Sequence, residues 1–119
     1  MKIIICGAYG IGTHLAKMLS RNHEDITLID EDDERLAQIG SDFDLLTAQA
    51  SPSSIKALRE AGAEHADLFI AVTPEESLNI TSCVLAKALG AKRPLPKSAT
   101  ANTQPPNYRI SLLDWVSVR

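Results

Sequence analysis

Short runs of apolar residues alternate along residues 1–91 with segments in which apolar residues recur at helical spacing. Four such runs predict strands, at Ile3–Cys6, Ile26–Ile29, Asp44–Ala48 and Leu68–Val72. The last run is apolar throughout, which is typical of a strand buried on both faces of a sheet. Strands that alternate with helices through short connections favour an α/β fold with a parallel sheet covered on both faces.

A glycine-rich turn and an acidic residue lie where a nucleotide would need them. The first predicted strand runs into Gly7-Ala8-Tyr9-Gly10-Ile11-Gly12, a helical pattern follows, and the second predicted strand ends at Asp30. Strand, glycine turn, helix, strand and acid in this order form the fingerprint of dinucleotide-binding domains. We therefore predict a single Rossmann-like domain with a doubly wound parallel sheet.

Each part of this fingerprint has a physical role. Gly7 permits the tight turn, Gly12 lets the helix pack closely on the sheet, and the helix N-terminus attracts a pyrophosphate. Asp30 is placed to accept hydrogen bonds from the adenosine ribose, and its charge would repel a 2′-phosphate. The expected ligand is therefore NAD(H) or an adenine nucleotide (ATP, ADP or AMP). Tyr9 replaces the second glycine, so its side chain must swing away from the phosphates or lie along the ligand.

Two further loops end at the same edge of the predicted sheet, where ligands bind in open parallel sheets. Ala50 and Ser51 are small enough for adenine to lie flat beside them, and Ser51-Pro52 is a helix start signal. Thr73 has capping-box spacing to Glu76, so it caps the next helix, contacts the ligand, or does both. The candidate nucleotide-binding residues are Gly7, Ala8, Tyr9, Gly10, Ile11, Gly12, Asp30, Glu31, Ala50, Ser51 and Thr73.

Composition excludes several classes of function. The formal net charge is −3, and residues 1–91 hold fourteen acidic and seven basic residues, so we expect no nucleic-acid partner. No apolar run approaches the roughly 20 residues that cross a membrane, so no direct membrane insertion is expected. The three histidines lack metal-ligand spacing, and we predict neither a metal site nor a catalytic residue. The two cysteines fit reduced core thiols.

The pattern changes after residue 91. Residues 92–119 hold five basic residues and one acidic residue, and Pro94 and Pro96 argue against a central strand. We therefore predict that the fifth strand is missing or replaced by an aberrant tail. Residues 94–107 are predicted to be disordered or irregular, and residues 109–118 to form an edge strand or an interface segment.

Residues 1–91 closely resemble the TrkA-N or RCK (regulator of potassium conductance) N-lobe family. The matching stretches are MKIIICGAYGIGTHLAKMLS, ITLIDEDDERLAQI, DLLTAQASPSSIKALREAG and ADLFIAVTPEESLNITSCVLAKALGAK. Family members usually carry glycine at the position of Tyr9, and an acidic residue or asparagine near Gln49. The resemblance stops at about Lys92, where the family continues with a fifth strand and a crossover helix, so residues 92–119 are predicted to be a tail foreign to the family.

The resemblance implies a regulatory, non-enzymatic domain that binds NAD(H) or an adenine nucleotide. It also implies pairing into homodimers or larger rings, and gating of a membrane potassium transporter. Such a domain would be cytoplasmic and held at the inner face of the cell membrane through its partner.

The break near Lys92 also suggests a change of reading frame. Suppose that each new codon takes the third base of one codon and the first two bases of the next. Asp114-Trp115 must then encode leucine and Trp115-Val116 must encode glycine, whatever the codons. Permissible codons elsewhere allow a strand, a turn and an amphipathic segment. We hypothesise that residues 92–119 arise from such a shift, which sequencing the gene beside its homologues would test.

Two other functions remain open. The chain could be the cofactor-binding half of an NAD-dependent oxidoreductase, which turnover of NADH would reveal. It could also be a dimerisation module whose nucleotide site is inactive because of Tyr9, which dimerisation without any nucleotide response would reveal.

Overall fold

The computed structural model describes residues 1–39 and 43–97. The strands are β1 (Lys2–Cys6), β2 (Asp25–Asp30), β3 (Leu46–Gln49), β4 (Leu68–Ala71) and β5 (Pro94–Pro96). The α-helices are α1 (Gly10–Ser20), α2 (Asp33–Ala37), α3 (Ile55–Glu60) and α4 (Glu76–Leu89), and one 3-10 turn spans Ala63–His65. The strands pair in parallel in the order β3-β2-β1-β4-β5. The predicted Rossmann-like α/β fold is confirmed.

The central strand β1 is buried on both faces because its side chains alternate between two apolar layers. Ile3 and Ile5 pack in a cluster with Ala16 and Leu19 of α1. Ile4 and Cys6 belong to the opposite cluster, which also contains Phe69, Cys83 and Ala86. These two layers explain why the strands of the sheet centre are apolar without alternation.

The strand order places the topological switch beside β1. From β1 the chain adds β2 and then β3 on one side, and β4 returns to pair with the other side of β1. In open parallel sheets, ligands bind at the carboxyl ends of the strands next to such a switch. The loops after β1 and β4 therefore form the expected place for a site.

The prediction that the fifth strand is missing is wrong, and so is the prediction of an irregular segment at its first residues, because residues 94–96 form β5 beside β4. Pro94, Leu95 and Pro96 pair in parallel with β4. The carbonyl oxygen of Arg93 accepts from Phe69 N–H at 2.9 Å, and Lys97 N–H donates to the carbonyl of Ala71 at 2.8 Å. Main-chain groups alternate along a strand, so the two prolines direct their ring nitrogens away from β4, where no donor is needed.

Two local predictions, the starts of α3 and of β3, are also corrected. Helix α3 begins at Ile55, after the N-cap Ser54, whose hydroxyl accepts from Ala57 N–H at 3.2 Å. Ser51 is therefore not the cap. Strand β3 begins two residues later than predicted, and Leu46, its first residue, is 65% exposed.

The rest of the segment predicted to be disordered or irregular, residues 98–107, and the predicted edge strand or interface segment, residues 109–118, lie outside the described residues. Within residues 1–39 and 43–97, no helix combines the length and the apolar character that crossing a membrane requires.

Candidate functional site

The glycine turn has the close contacts that its sequence predicts. Gly7 adopts a φ of +109°, a conformation that L side chains rarely adopt. A Cβ on Gly7 would lie 3.0 Å from the main-chain nitrogen of Thr73, so the loops after β1 and β4 touch here. A Cβ on Gly12 would overlap the carbonyl oxygen of Gly7, so α1 packs directly on the turn. Glycine at both positions brings helix, turn and β4 together.

The N-terminus of α1 lies beside the cleft described below, which its N-cap residue Tyr9 lines. Tyr9 is the N-cap residue with extended backbone, and its side chain makes no capping hydrogen bond. The N–H groups of the first helical turn have no acceptor within a helix, so they are available to an anion. Gly10 and Ile11 are exposed, and a Cβ on Gly10 would meet nothing within 4 Å. The structure therefore leaves room for a phosphate at this helix start.

Asp30 lies at the carboxyl end of β2 and is only 3% exposed. Its Oδ2 accepts from Ala8 N–H at 2.7 Å, and its Oδ1 accepts from Asp32 N–H at 2.8 Å. Arg35 donates through Nη2 to Oδ1 at 2.9 Å and through Nε to Oδ1 and Oδ2 at 3.1 and 3.2 Å. The carboxylate thus ties the glycine turn to β2 and to α2.

These contacts set the charge state of Asp30. Burial alone would raise the pKa of the carboxyl group, but hydrogen bonds from Arg35 and from the main chain of Asp32 and Ala8 lower it below its ordinary value. The pKa of Arg35 is raised by the same pair. Asp30 is therefore an anion at neutral pH.

Arg35 also contacts Tyr9. The guanidinium carbon lies 4.2 Å from the centroid of the Tyr9 ring, within cation–π distance. Its Nη1 lies 3.2 Å from Oδ2 of Asp32. The guanidinium therefore lies between the tyrosine ring and two carboxylates, and it connects the N-cap of α1 to the acidic residues at the end of β2.

Thr73 does not occupy the predicted N-cap, because α4 begins one residue after Glu75. Its hydroxyl instead donates to Oδ1 of Asn79 at 2.7 Å, and its main-chain N–H donates to the same oxygen at 2.9 Å. The amide nitrogen of Asn79 donates to the carbonyl oxygens of Thr73 and Lys97, both at 2.9 Å. Asn79 is 1% exposed and joins the loop after β4 to the residue after β5.

These elements enclose a cleft of about 330 Å³ at the carboxyl edge of the sheet. This volume lies at the lower end of the ~300–1,000 Å³ found for ligand pockets. Five predicted residues line it, namely Gly7, Tyr9, Asp30, Glu31 and Thr73. The other lining residues are Arg35, Pro52, Pro74, Glu75 and Leu78.

The remaining predicted residues lie beside the cleft. Ala8 is buried beneath the turn, and Gly12 is buried against Gly7. Ala50 N–H donates to the carbonyl oxygen of Asp30 at 3.0 Å. The hydroxyl of Ser51 lies 2.9 Å from that of Ser53. Pro52, and not Ala50 or Ser51, forms the cleft wall after β3 in the described part of the chain.

Sequence reasoning missed two polar residues of the site, Arg35 and Asn79. Arg35 follows the acidic residues 30–34, and nothing in its position along the sequence indicated a contact with Asp30. Asn79 lies within the matching stretch ADLFIAVTPEESLNITSCVLAKALGAK, but no spacing rule indicated its role. In the described residues, no group of histidine, cysteine or acidic side chains could hold a metal ion.

The structural comparisons match this architecture. A structure described as "Shewanella denitrificans Kef CTD in AMP bound form" aligns with a TM-score of 0.65 at 18% identity, over 80% of this chain and 57% of that one. The NAD(P)-binding domain of an exopolyphosphatase-related protein from Archaeoglobus fulgidus aligns with a TM-score of 0.62 at 13% identity, over 98% of each chain. At such low identity these likenesses establish the fold alone.

Sequence comparison identifies the family. The Trk system potassium uptake protein TrkA of Haemophilus influenzae is 45% identical over 89 residues, which is 75% of this chain and 19% of that protein. The chain thus spans about a fifth of the length of this relative. The model of the TrkA-N domain family matches residues 3–113, so the match includes β5 and extends past Lys92. The chain belongs to the TrkA-N domain family.

Proposed function

We propose that this chain is a regulatory domain of a potassium uptake system, and that it binds NAD(H) or an adenine nucleotide in the cleft at the carboxyl edge of the sheet. The observation that carries the proposal is the buried, ionised Asp30, which lines the same cleft as Tyr9, the N-cap residue of α1. An acidic acceptor and an anion-binding helix start are the two features that an adenosine phosphate requires.

The residues present fit such a ligand. Phosphate would lie at the first turn of α1, where Gly10 leaves open space. The ribose hydroxyls would donate to Asp30, and adenine would lie towards Glu31, Pro52 and the predicted pair Ala50-Ser51. Thr73 closes the opposite wall through its contact with Gly7. In this arrangement the chain binds and orients the nucleotide by its glycine turn, one carboxylate and one helix N-terminus.

The cleft volume and the structural neighbours support this class of ligand. A Kef domain of the same fold is described with AMP bound, and the second neighbour is described as an NAD(P)-binding domain. We keep NAD, NADH, ATP, ADP and AMP as the ligands to compare, because all of them share the adenosine phosphate that the site would recognise.

The side chains of the cleft favour regulation over catalysis. The described residues that line it include no histidine, cysteine or lysine. Cys6, at the end of β1, is fully buried, and burial raises the pKa of its thiol well above the ordinary value, so it is a poor nucleophile. We therefore propose a domain that responds to a nucleotide without transforming it.

Regulation requires a partner, which the TrkA relatives suggest is a membrane potassium transporter. We propose that the domain acts on the cytoplasmic side of the membrane as a homodimer or larger ring. A nucleotide would bias the transporter by its difference in affinity for two states of the assembly, typically ~1–3 kcal/mol for such couplings.

Calorimetric titration of the chain with NADH, NAD, ATP, ADP and AMP tests the ligand. We expect saturable binding by the wild type and strongly weakened binding by Asp30→Asn. Asp25→Asn is the matched control, because Asp25 begins the same strand at the opposite edge of the sheet and its side chain is 60% exposed. Absence of binding by the folded wild type, or equal weakening in both variants, would contradict the proposed site.

A second experiment tests the regulation. Rubidium uptake is measured in cells that express a Trk-type membrane subunit together with the wild-type chain or with Asp30→Asn. Light scattering of each purified protein, with and without nucleotide, reports its assembly state. We expect uptake and assembly to respond to nucleotide only with the wild type. Dimerisation without any nucleotide response would favour a plain dimerisation module instead.

A further inference from the structure

The carboxylate of Asp30 has no acceptor position left for a ribose. A carboxylate offers roughly four lone-pair positions. Four N–H donors already point at Asp30, from the main chains of Ala8 and Asp32 and from Nε and Nη2 of Arg35. A nucleotide can therefore reach this carboxylate only by displacing one or more of these donors.

Arg35 is the donor that can leave. The N–H groups of Ala8 and Asp32 belong to the glycine turn and to the start of α2, so moving them would disturb the fold. The Arg35 side chain is 31% exposed and reaches Asp30 from the cleft surface. Arginine side chains rotate without moving the main chain, whereas the two main-chain donors are fixed by secondary structure.

The geometry of the Arg35 contact matches that of a ribose. Nε and Nη2 present two neighbouring N–H donors to Asp30. The 2′- and 3′-hydroxyls of ribose present two neighbouring O–H donors. We propose that Arg35 is a specificity-determining residue that holds Asp30 in place of the ribose, so that a nucleotide binds by exchanging its 2′,3′-diol for the arginine fork. This inference rests on the proposed function, because it names how the same site selects its ligand.

The displaced guanidinium has two partners that stay in place. Nη1 already lies 3.2 Å from Asp32 Oδ2, and the ring of Tyr9 lies beneath the guanidinium. Arg35 therefore keeps a counter-ion and an aromatic contact when it leaves Asp30. Because Tyr9 is also the N-cap of α1, the exchange at the ribose takes place next to the turn that would face the phosphate.

The exchange makes a distinctive prediction for ligands that lack one hydroxyl. AMP can replace both donors of Arg35, whereas 2′-deoxyadenosine monophosphate can replace only one. Removal of the arginine in Arg35→Ala should therefore increase the affinity for AMP by roughly fivefold, the scale of a partly exposed ion pair. Affinity for the 2′-deoxy nucleotide should change by less than about twofold.

Calorimetry with both nucleotides on the wild type, Arg35→Ala and Arg59→Ala tests this inference. Arg59 is the matched control, because it is exposed in the last turn of α3, away from the carboxyl edge of the sheet. The Nε–H resonance of Arg35 in the wild-type protein gives an independent readout that does not depend on a variant folding. We expect saturating AMP to shift this resonance, and the 2′-deoxy nucleotide to shift it less.

The outcomes separate this inference from the proposed function. AMP binding by the wild type with no gain, or a loss, in Arg35→Ala would overturn the exchange and leave the nucleotide site standing. Equal gains for both nucleotides would also overturn it, because a general charge effect would explain them. Absence of binding by every folded protein would overturn both proposals.

Discussion

Gly12 on α1 packs directly against the carbonyl oxygen of Gly7, and no side chain fits between them. A methyl group at position 12 would push the helix away from the turn and from Val72, whose side chain lies 3.3 Å from the position that this methyl group would take. We expect Gly12→Ala to lower the free energy of unfolding by at least ~1–3 kcal/mol, as overpacking in a close contact does. Urea denaturation followed by circular dichroism measures this change.

Gly10 provides the control for that substitution, because it lies in the same helix turn with open space around it. Gly10→Ala should leave stability unchanged or raise it by up to ~1 kcal/mol, since alanine restricts the unfolded chain more than glycine does. Similar losses of stability in both variants would mean that the contact between Gly12 and Gly7 does not limit the packing of α1.

Asn79 is expected to be the most sensitive polar residue outside the carboxylate site. Asn79→Ala removes the acceptor for two donors of Thr73 and the donor to two carbonyl oxygens, all within a buried network. Leaving even one such group unsatisfied costs ~1–3 kcal/mol. We expect a loss of at least ~2 kcal/mol in urea denaturation. Thr81→Ala on the exposed face of the same helix should change stability by less than ~0.5 kcal/mol.

The lowered pKa of Asp30 predicts how stability depends on pH. Hydrogen bonds from Arg35 and the main chain outweigh burial and favour the carboxylate in the folded state. The stabilisation is therefore present above the ordinary pKa of 3.8 and is lost as the pH falls through the folded-state value. The difference in unfolding free energy between wild type and Asp30→Asn should shrink below about pH 4. A difference that stays constant across the acid range would contradict this assignment.

Both cysteines should be unreactive in the folded protein. Burial raises the pKa of Cys83 to about 12. Burial, and then the nearby Cys83 and Asp30, raise the pKa of Cys6. The thiolate is the reactive form, so a chromogenic disulfide reagent should label almost no thiol in native protein and both thiols in denaturant. A rapidly labelled thiol in the native state would show that the core layer that contains both cysteines opens.

The sequence predicted those elements whose burial leaves a strong pattern. Strands β1, β2 and β4 lie in the middle of the sheet, and their apolar runs located them within a residue or two. Strand β5 was not predicted because Pro94 and Pro96 argue against a central strand. Among the described residues, β5 pairs with β4 alone, and a strand with one partner needs main-chain donors on only one side. The start of α3 was misplaced because Ser51-Pro52 and Ser54 both resemble helix starts, and the chain uses the second.

Site residues were predicted correctly only at positions where the local structure allows very few residue types. Gly7, Gly12 and Asp30 lie where the fingerprint predicted, because a tight turn, a close helix contact and a strand-end acceptor each restrict the residue type. Arg35 and Asn79 were missed because arginine and asparagine are common on exposed helix faces. Their partners become apparent only when α2 folds against β2 and α4 folds against the loop after β4.

Tyr9 is the residue that most distinguishes this cleft from its fingerprint, because it replaces the second glycine of the turn. Tyr9→Gly removes the ring beside Arg35, and we expect it to increase the affinity for NADH by roughly tenfold, or about 1.4 kcal/mol. AMP, which has one phosphate, should gain less, and Tyr9→Phe, which keeps the ring over Arg35, should bind NADH like the wild type. Calorimetry measures the affinity of Tyr9→Gly for NADH and for AMP, and that of Tyr9→Phe for NADH. Weaker NADH binding by Tyr9→Gly would instead mean that the ring contacts the ligand, so the tyrosine would be a binding residue and not an obstruction.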